Sequence, residues 1–115
     1  MQIKITGRGT EITPPIRDYI QEKVAKLETF FNNTQKIEVV IEAHAIDDVE
    51  KRQMAEIRAW LAGKKVVVAR EAGRDAYAAF DLVLEEAKRQ IEKHKERHVQ
   101  ERRREGARLK RELRP

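Results

Sequence analysis

The spacing of apolar residues changes along this chain, and the order of those changes limits the possible folds more than any other feature. Ile3 and Ile5 alternate with polar neighbours, as in a half-buried strand. Apolar residues then recur at helical spacing, first between positions 13 and 31 and again from position 75. Between the helices, segments 36–46 and 52–61 alternate once more. Ala62 and Gly63 then predict a hairpin turn into 64–70, a short strand whose core is three consecutive valines. The sequence therefore predicts the element order β-α-β-β-β-α.

Both predicted helices begin at residues that favour a helix start. Thr13 can cap the first helix, with Pro14 at its first position, and Asp75 can cap the second. The predicted buried stripe of the first helix is Ile16, Tyr19, Ile20, Val24, Leu27 and Phe31. That of the second is Ala76, Phe80, Val83, Leu84, Ala87 and Ile91. We expect a two-layer α+β sandwich, in which both helices cover the apolar face of a four-stranded sheet and the other face meets solvent.

Composition excludes several classes of function. The chain has 115 residues, the length of one domain, and contains neither cysteine nor serine. Disulfides, thiolate metal sites and Cys or Ser nucleophiles are thereby excluded. Neighbouring carboxylates such as Asp47 and Asp48 have no converging partner, and there is no glycine-rich phosphate loop. We expect a protein that is not an enzyme and needs no cofactor. The sequence shows no secretory signal and no apolar segment long enough to span a membrane, so we expect a cytoplasmic protein.

Positive charge is concentrated in the last quarter of the chain. Residues 88–115 contain 12 Lys or Arg against 5 Glu, whereas residues 1–87 contain 13 against 15 acidic residues. We expect a domain at residues 1–97 and a basic C-terminal helical extension or tail at 98–115. Such a basic segment fits a polyanionic partner, above all nucleic acid, although an acidic protein, an anionic membrane or solvent alone could also satisfy it.

A basic surface is predicted across the two helices. Arg89, Lys93 and Arg97 recur every four residues on the flank of the second helix. Lys23 falls within the apolar arc of the first helix, so we expect it to lie in the groove between the helices with its ammonium reaching solvent. The alternative is an ion pair between Lys23 and a carboxylate of the groove, such as Glu86.

Two other features have more than one interpretation. His94 and His98 lie one helical turn apart, but no third ligand is evident, so we predict no metal site. Trp60 points to the open face of the predicted sheet, where it could stack on a nucleic-acid base. It could instead pack against a cross-strand neighbour near Val40 or Val67.

The segments MQIKITGRGTEITPPIRDYIQEKVAKLETFF and DAYAAFDLVLEEAKRQIEKHKER closely resemble the ribosome hibernation promoting factor and ribosome-associated inhibitor family. The resemblance covers about residues 1–97 and implies a β-α-β-β-β-α fold related in shape to double-stranded RNA-binding domains. It also implies binding to the small ribosomal subunit and its rRNA at the decoding region, across the mRNA channel and the tRNA sites. Such binding would sterically block translation by idle ribosomes, in stress or stationary phase, with no chemical step.

The resemblance also assigns RNA-binding roles to individual residues. Arg8 follows the first strand at a position that is commonly basic, and Tyr77 matches a family tyrosine that either reaches rRNA or packs near the helix start. The family often has lysine at the position of Glu86, and Lys88 could compensate. The implied RNA-binding residues are Arg8, Lys23, Lys26, Lys88, Arg89, Gln90, Lys93, Lys95 and Arg97. No membrane or small-molecule substrate is expected. A protein-interaction module using the charged C-terminal helix and a general double-stranded RNA binder remain alternatives.

Overall fold

A computed structural model describes residues 1–30 and 34–112, without the side chains of 28–30, 96–102 and 109–112. It confirms the predicted order of strands and helices. A short 3-10 helix, Val49–Lys51, precedes the third strand and was not predicted. The main elements are β1 (Gln2–Arg8), α1 (Pro14–Phe30), β2 (Thr34–Ala43), β3 (Gln53–Leu61), β4 (Lys65–Gly73) and α2 (Ala76–Glu112).

The four strands form one mixed sheet in the order β1-β2-β3-β4. β1 is parallel to β2, because α1 returns the chain to the end of the sheet at which β1 begins, so that both strands run in the same direction. The pairs β2–β3 and β3–β4 are antiparallel. The register aligns one apolar row across the sheet: Ile5, Val39, Ile57 and Ala69.

Both helices cover the face that carries this row, as predicted. α2 packs over β3 and β4, and α1 lies beside α2 and close to β1. The predicted stripe residues of the described region are buried, except for Tyr19 and Ala76, which are partly buried against the core. Ala79, absent from the predicted stripe, is fully buried. Phe31 lies outside the described residues.

Local geometry fixes the start of α2. The Ala78 amide donates to the Asp75 carboxylate at 2.8 Å, which confirms the predicted cap. Gly73, at the end of β4, lies so close to the helix that an added Cβ would be 2.6 Å from the Ala79 nitrogen. The absence of a side chain at Gly73 therefore lets the helix pack directly against the end of the strand.

The β3–β4 turn is one residue longer than predicted. Leu61 pairs with Lys65, so the loop contains Lys64 as well as Ala62 and Gly63. Gly63 has φ 84° and Lys64 has φ 63°, so both occupy the left-handed region. A three-residue hairpin loop commonly ends on a residue in that region, which is the position of Lys64.

α2 continues far beyond the core. Its 37 residues correspond to a length of about 55 Å, and the last residue buried in the core is Ile91. The backbone stays helical through Glu112, with no break near residue 97. Residues 113–115 lie outside the described part of the chain. Within that described part, no helix is both long and apolar enough to cross a membrane.

Candidate nucleic-acid interface

An aromatic cluster joins α1 to α2 at the outer side of the helical layer. The Tyr19 hydroxyl donates a hydrogen bond to the Asp81 carboxylate at 2.5 Å. Its ring lies edge-on to Phe80 at 6.0 Å and to Tyr77 at 5.0 Å between centroids. Tyr77 remains 40% exposed. It therefore packs near the helix start while part of its side chain stays accessible to solvent.

The environment of Tyr19 keeps its hydroxyl protonated. The hydrogen bond to Asp81, burial and the negative charge of Asp81 raise the pKa of Tyr19 to about 12. Each of these effects disfavours the phenolate. Tyr19 therefore remains a hydrogen-bond donor at neutral pH and links the two helices.

Lys23 lies at this cluster. Its side chain is partly buried, and Nζ is 5.6 Å from the centroid of the Tyr19 ring. Glu86, its alternative partner, instead accepts from Arg89 and from the Gln90 amide, the latter at 3.1 Å. This arrangement agrees with the expected position in the groove, where the cation contacts an aromatic face. Lys26, one turn further along α1, is exposed.

Three of the predicted RNA-binding residues form ion pairs or hydrogen bonds with carboxylates of α2 itself. Glu86 engages both Arg89 and Gln90, while Lys88 Nζ lies 3.5 Å from Glu85. These pairs are three or four residues apart and contribute little stability, about 0–1 kcal/mol each. A phosphate could replace the carboxylate at small cost.

The remaining predicted cations of α2 lie beyond the core. Lys93 and Lys95 are exposed, and His94 between them is partly buried. The side chains of Arg97 and His98 lie outside the described residues. The helical layer thus contains Lys23 and Lys26 on α1 and the predicted residues of α2 from Lys88 onward.

Arg8 lies on the other side of the sheet. It lines a cavity of about 130 Å³ on the open face, together with Val40, Arg58 and Arg70. The alternation of β1 explains this position, because Ile3 and Ile5 face the helices and even-numbered residues face away. The structure therefore separates Arg8 from the other predicted RNA-binding residues.

Trp60 also lies on the open face. It pairs in register with Lys36 and Val66, and Lys36 Nζ is 4.8 Å from the centroid of the indole ring. The expectation of a cross-strand neighbour near Val67 is met by the adjacent Val66, whereas Val67 itself is buried beneath the helices. Val40 is on the same face as Trp60 but pairs with Glu56, further along β3.

The sequence did not predict the hydrogen bond between Tyr19 and Asp81. These residues are 62 positions apart, and neither belongs to a motif that identifies the other. The one available signal was a tyrosine within the buried stripe of α1, because a partly buried hydroxyl usually needs a hydrogen-bond partner.

These observations define a class of protein: a small α+β domain in which a basic layer of helices covers one side of a mixed sheet. Residues 3–99 match the family described as sigma 54 modulation protein / S30EA ribosomal protein. The chain belongs to this family.

Curated relatives include proteins named ribosome hibernation promoting factor. The one from Klebsiella oxytoca is 34% identical over 97 residues, which is 84% of this chain and 96% of the relative. The one from Azotobacter vinelandii is 35% identical over 101 residues, or 87% and 88% of the two chains.

Two solved structures have the same fold. The N-terminal domain of Protein Y from Thermus thermophilus aligns with a TM-score of 0.70 and 33% identity, covering 82% of this chain and 99% of that domain. A ribosomal subunit interface protein from Coxiella burnetii also aligns at 0.70, with 21% identity, covering 83% of this chain and 98% of the other.

Proposed function

We propose that this protein is a ribosome hibernation factor that binds the small ribosomal subunit at the decoding region. Bound across the mRNA channel and the tRNA sites, it would exclude both ligands and hold idle ribosomes inactive. The observation that carries the proposal is the match of residues 3–99 to this family. Curated relatives of the chain are named for ribosome hibernation. The basic helical layer supports it physically, since rRNA is a dense array of phosphates.

The binding mode follows from the side chains of that layer. Long lysine and arginine side chains suit phosphate contacts and recognition of RNA shape, because they reach the backbone without reading base edges. We propose that Lys23, Lys26 and the basic residues of α2 make these contacts. Lys88, Arg89 and Gln90 would exchange Glu85 and Glu86 for rRNA phosphates. Binding involves no chemical step, and inhibition is by occupancy alone.

The proposal divides the chain into two parts. Residues 1–97 form the ribosome-binding domain, and residues 98–115 form a basic extension that adds to the attraction for rRNA. The partner is the small subunit in the cytoplasm, without a membrane or a small-molecule substrate. Arg8 would reach rRNA only at a surface facing the open side of the sheet.

Co-sedimentation with purified small subunits and inhibition of cell-free translation test the proposal. We expect binding at low salt that weakens steeply as salt increases, because phosphate contacts release counterions. Reversing the charge of Lys93 and Arg97 to Glu should weaken binding by at least about tenfold. The matched control reverses the charges of Lys51, the last residue of the 3-10 helix, and Arg52, its C-cap. Both are exposed, and their reversal changes the net charge by the same amount.

Three outcomes would contradict the proposal. Absence of small-subunit binding at low salt would reject it outright. Equal losses in the Lys93/Arg97 and control variants would reject the helical surface as the contact. Affinity for a free RNA duplex equal to the affinity for the subunit would indicate a general double-stranded RNA binder instead.

A further inference from the structure

The open face of the sheet has its own charge pattern, separate from the helical layer. Neither helix covers this face, and its side chains form four cross-strand rows. The first two rows are Gln2, Lys36, Trp60, Val66 and Lys4, Glu38, Arg58, Val68. The next two are Thr6, Val40, Glu56, Arg70 and Arg8, Glu42, Met54, Ala72. Five cations therefore share the face with three glutamates.

Two of the glutamates have partners on this side of the sheet. Glu56, whose side chain is only 13% exposed, lies 3.3 Å from Arg58 and 3.7 Å from Arg70. Glu42 lies 3.6 Å from His44. Among the described residues, no ion pair neutralises Lys4, Arg8 or Lys36. The positive charge of the face is therefore available to an anionic partner.

Trp60 forms an apolar platform at one end of this face. Its neighbours Val66 and Val68 on β4 are 40% and 44% exposed. Lys36 lies over the indole ring, and in the next row Lys4 and Arg58 lie on either side of Glu38. Aromatic and aliphatic surface surrounded by cations suits a ligand that has both flat apolar rings and negative charge.

We propose that the open face binds single-stranded RNA, with an unpaired base stacked on Trp60 and the adjoining phosphates on Lys4, Lys36 and Arg58. Stacking on an aromatic ring combined with a positively charged surface is the usual basis of single-strand binding. Lys36 can leave the indole ring for a phosphate, because an exposed cation–π contact is weaker than base stacking. An acidic protein partner would use the cations but not the indole face.

This proposal goes beyond ribosome binding through the helices and does not depend on it. The two surfaces lie on opposite sides of the sheet, so the protein could contact RNA on both sides at once. Arg8, which the structure separates from the helical layer, belongs to this second surface.

Trp60 is the single tryptophan of the chain, so its fluorescence reports on this site alone. Titration with a ten-nucleotide oligoadenylate at low salt should quench the emission and reach saturation. In parallel, anisotropy of the labelled oligonucleotide gives the affinity. Trp60→Leu should weaken binding by about fivefold or more, whereas Trp60→Phe should retain most of it because stacking persists. Leu82→Ala, which removes a side chain 52% exposed on α2, is the control and should bind normally.

Anisotropy is needed because the basic end of α2 can also attract RNA. Oligonucleotide binding without any change in Trp60 emission would place the RNA elsewhere and overturn the proposal. An unchanged affinity in folded Trp60→Leu, or equal quenching by a duplex whose bases are already paired, would also overturn it. Emission that changes with protein concentration alone would assign the face to a second copy of the chain. Small-subunit co-sedimentation of Trp60→Leu, measured separately, distinguishes this result from failure of the proposed function.

Discussion

The two halves of α2 belong to one continuous helix but are stabilised in different ways. The docked half, residues 76–91, buries Phe80, Val83 and Ile91 against the sheet. In the projecting half, residues 92–112, none of the described side chains is buried. The docked half is stabilised because its apolar surface is removed from water. The projecting half instead depends on helix propensity and local charge pairs for its stability. One helical pattern in the sequence can therefore serve two purposes, packing in one half and presentation of charge in the other.

The largest effect should come from removing the core contact of the docked half. Phe80 is fully buried, so Phe80→Ala should lower the free energy of unfolding by about 3–5 kcal/mol. Chemical denaturation measures this loss. Leu82→Ala, two residues along the same helix but largely exposed, should change stability by less than about 0.5 kcal/mol. Similar losses in the two variants would show that the docked half is not held by its buried stripe.

A smaller effect should come from the link between α1 and the docked half. Tyr19→Phe removes the hydrogen bond to Asp81 and should cost about 1–1.5 kcal/mol at neutral pH. Folding raises the pKa of Tyr19 from 10.0 to about 12, so this stabilisation is complete below pH 10 and is lost as pH rises towards 12. Denaturation of wild type and Tyr19→Phe at pH 8 and pH 11.5 should show their difference shrinking. A constant difference would contradict the role of this hydroxyl.

The smallest effect concerns the projecting half. Gly106→Ala should favour the helix by about 0.5–1 kcal/mol, because glycine is a poor helix former and an added Cβ would meet no neighbouring atom within 4 Å. Far-ultraviolet circular dichroism should show more helix, while the unfolding midpoint of the core stays nearly unchanged. Gly63→Ala gives the opposite control, because φ 84° disfavours alanine and should cost about 1 kcal/mol or more. A shift of the core midpoint by Gly106→Ala would show that the two halves are coupled.

Much of the fold could be predicted because the sequence patterns that indicate its helices and strands are local. The alternation around Val39 and Ile57 and the helical spacing from Ile16 to Leu27 indicate which residues are buried in each element. The cap at Asp75 is likewise a short-range feature. Each such pattern depends on neighbours within a few residues, so the sequence records it directly.

The candidate site was less predictable because it combines distant elements. The placement of Lys23 against Tyr19 agrees with the expectation of a groove cation. The capture of Arg89 by Glu86 depends on side-chain rotamers, which residue spacing alone does not fix. The position of Arg8 on the open face, by contrast, follows from the alternation of β1. The RNA-binding roles of these residues remain a prediction.

The sequence by itself determined the order of elements, the apolar face of the sheet and the concentration of positive charge after residue 87, since periodicity and composition are properties of the chain. Only the tertiary structure decided that β1 runs parallel to β2, that Tyr19 meets Asp81, and that Lys36 lies over the ring of Trp60. These contacts bring together residues far apart in the sequence. Their geometry depends on how the layers pack, which no local pattern specifies.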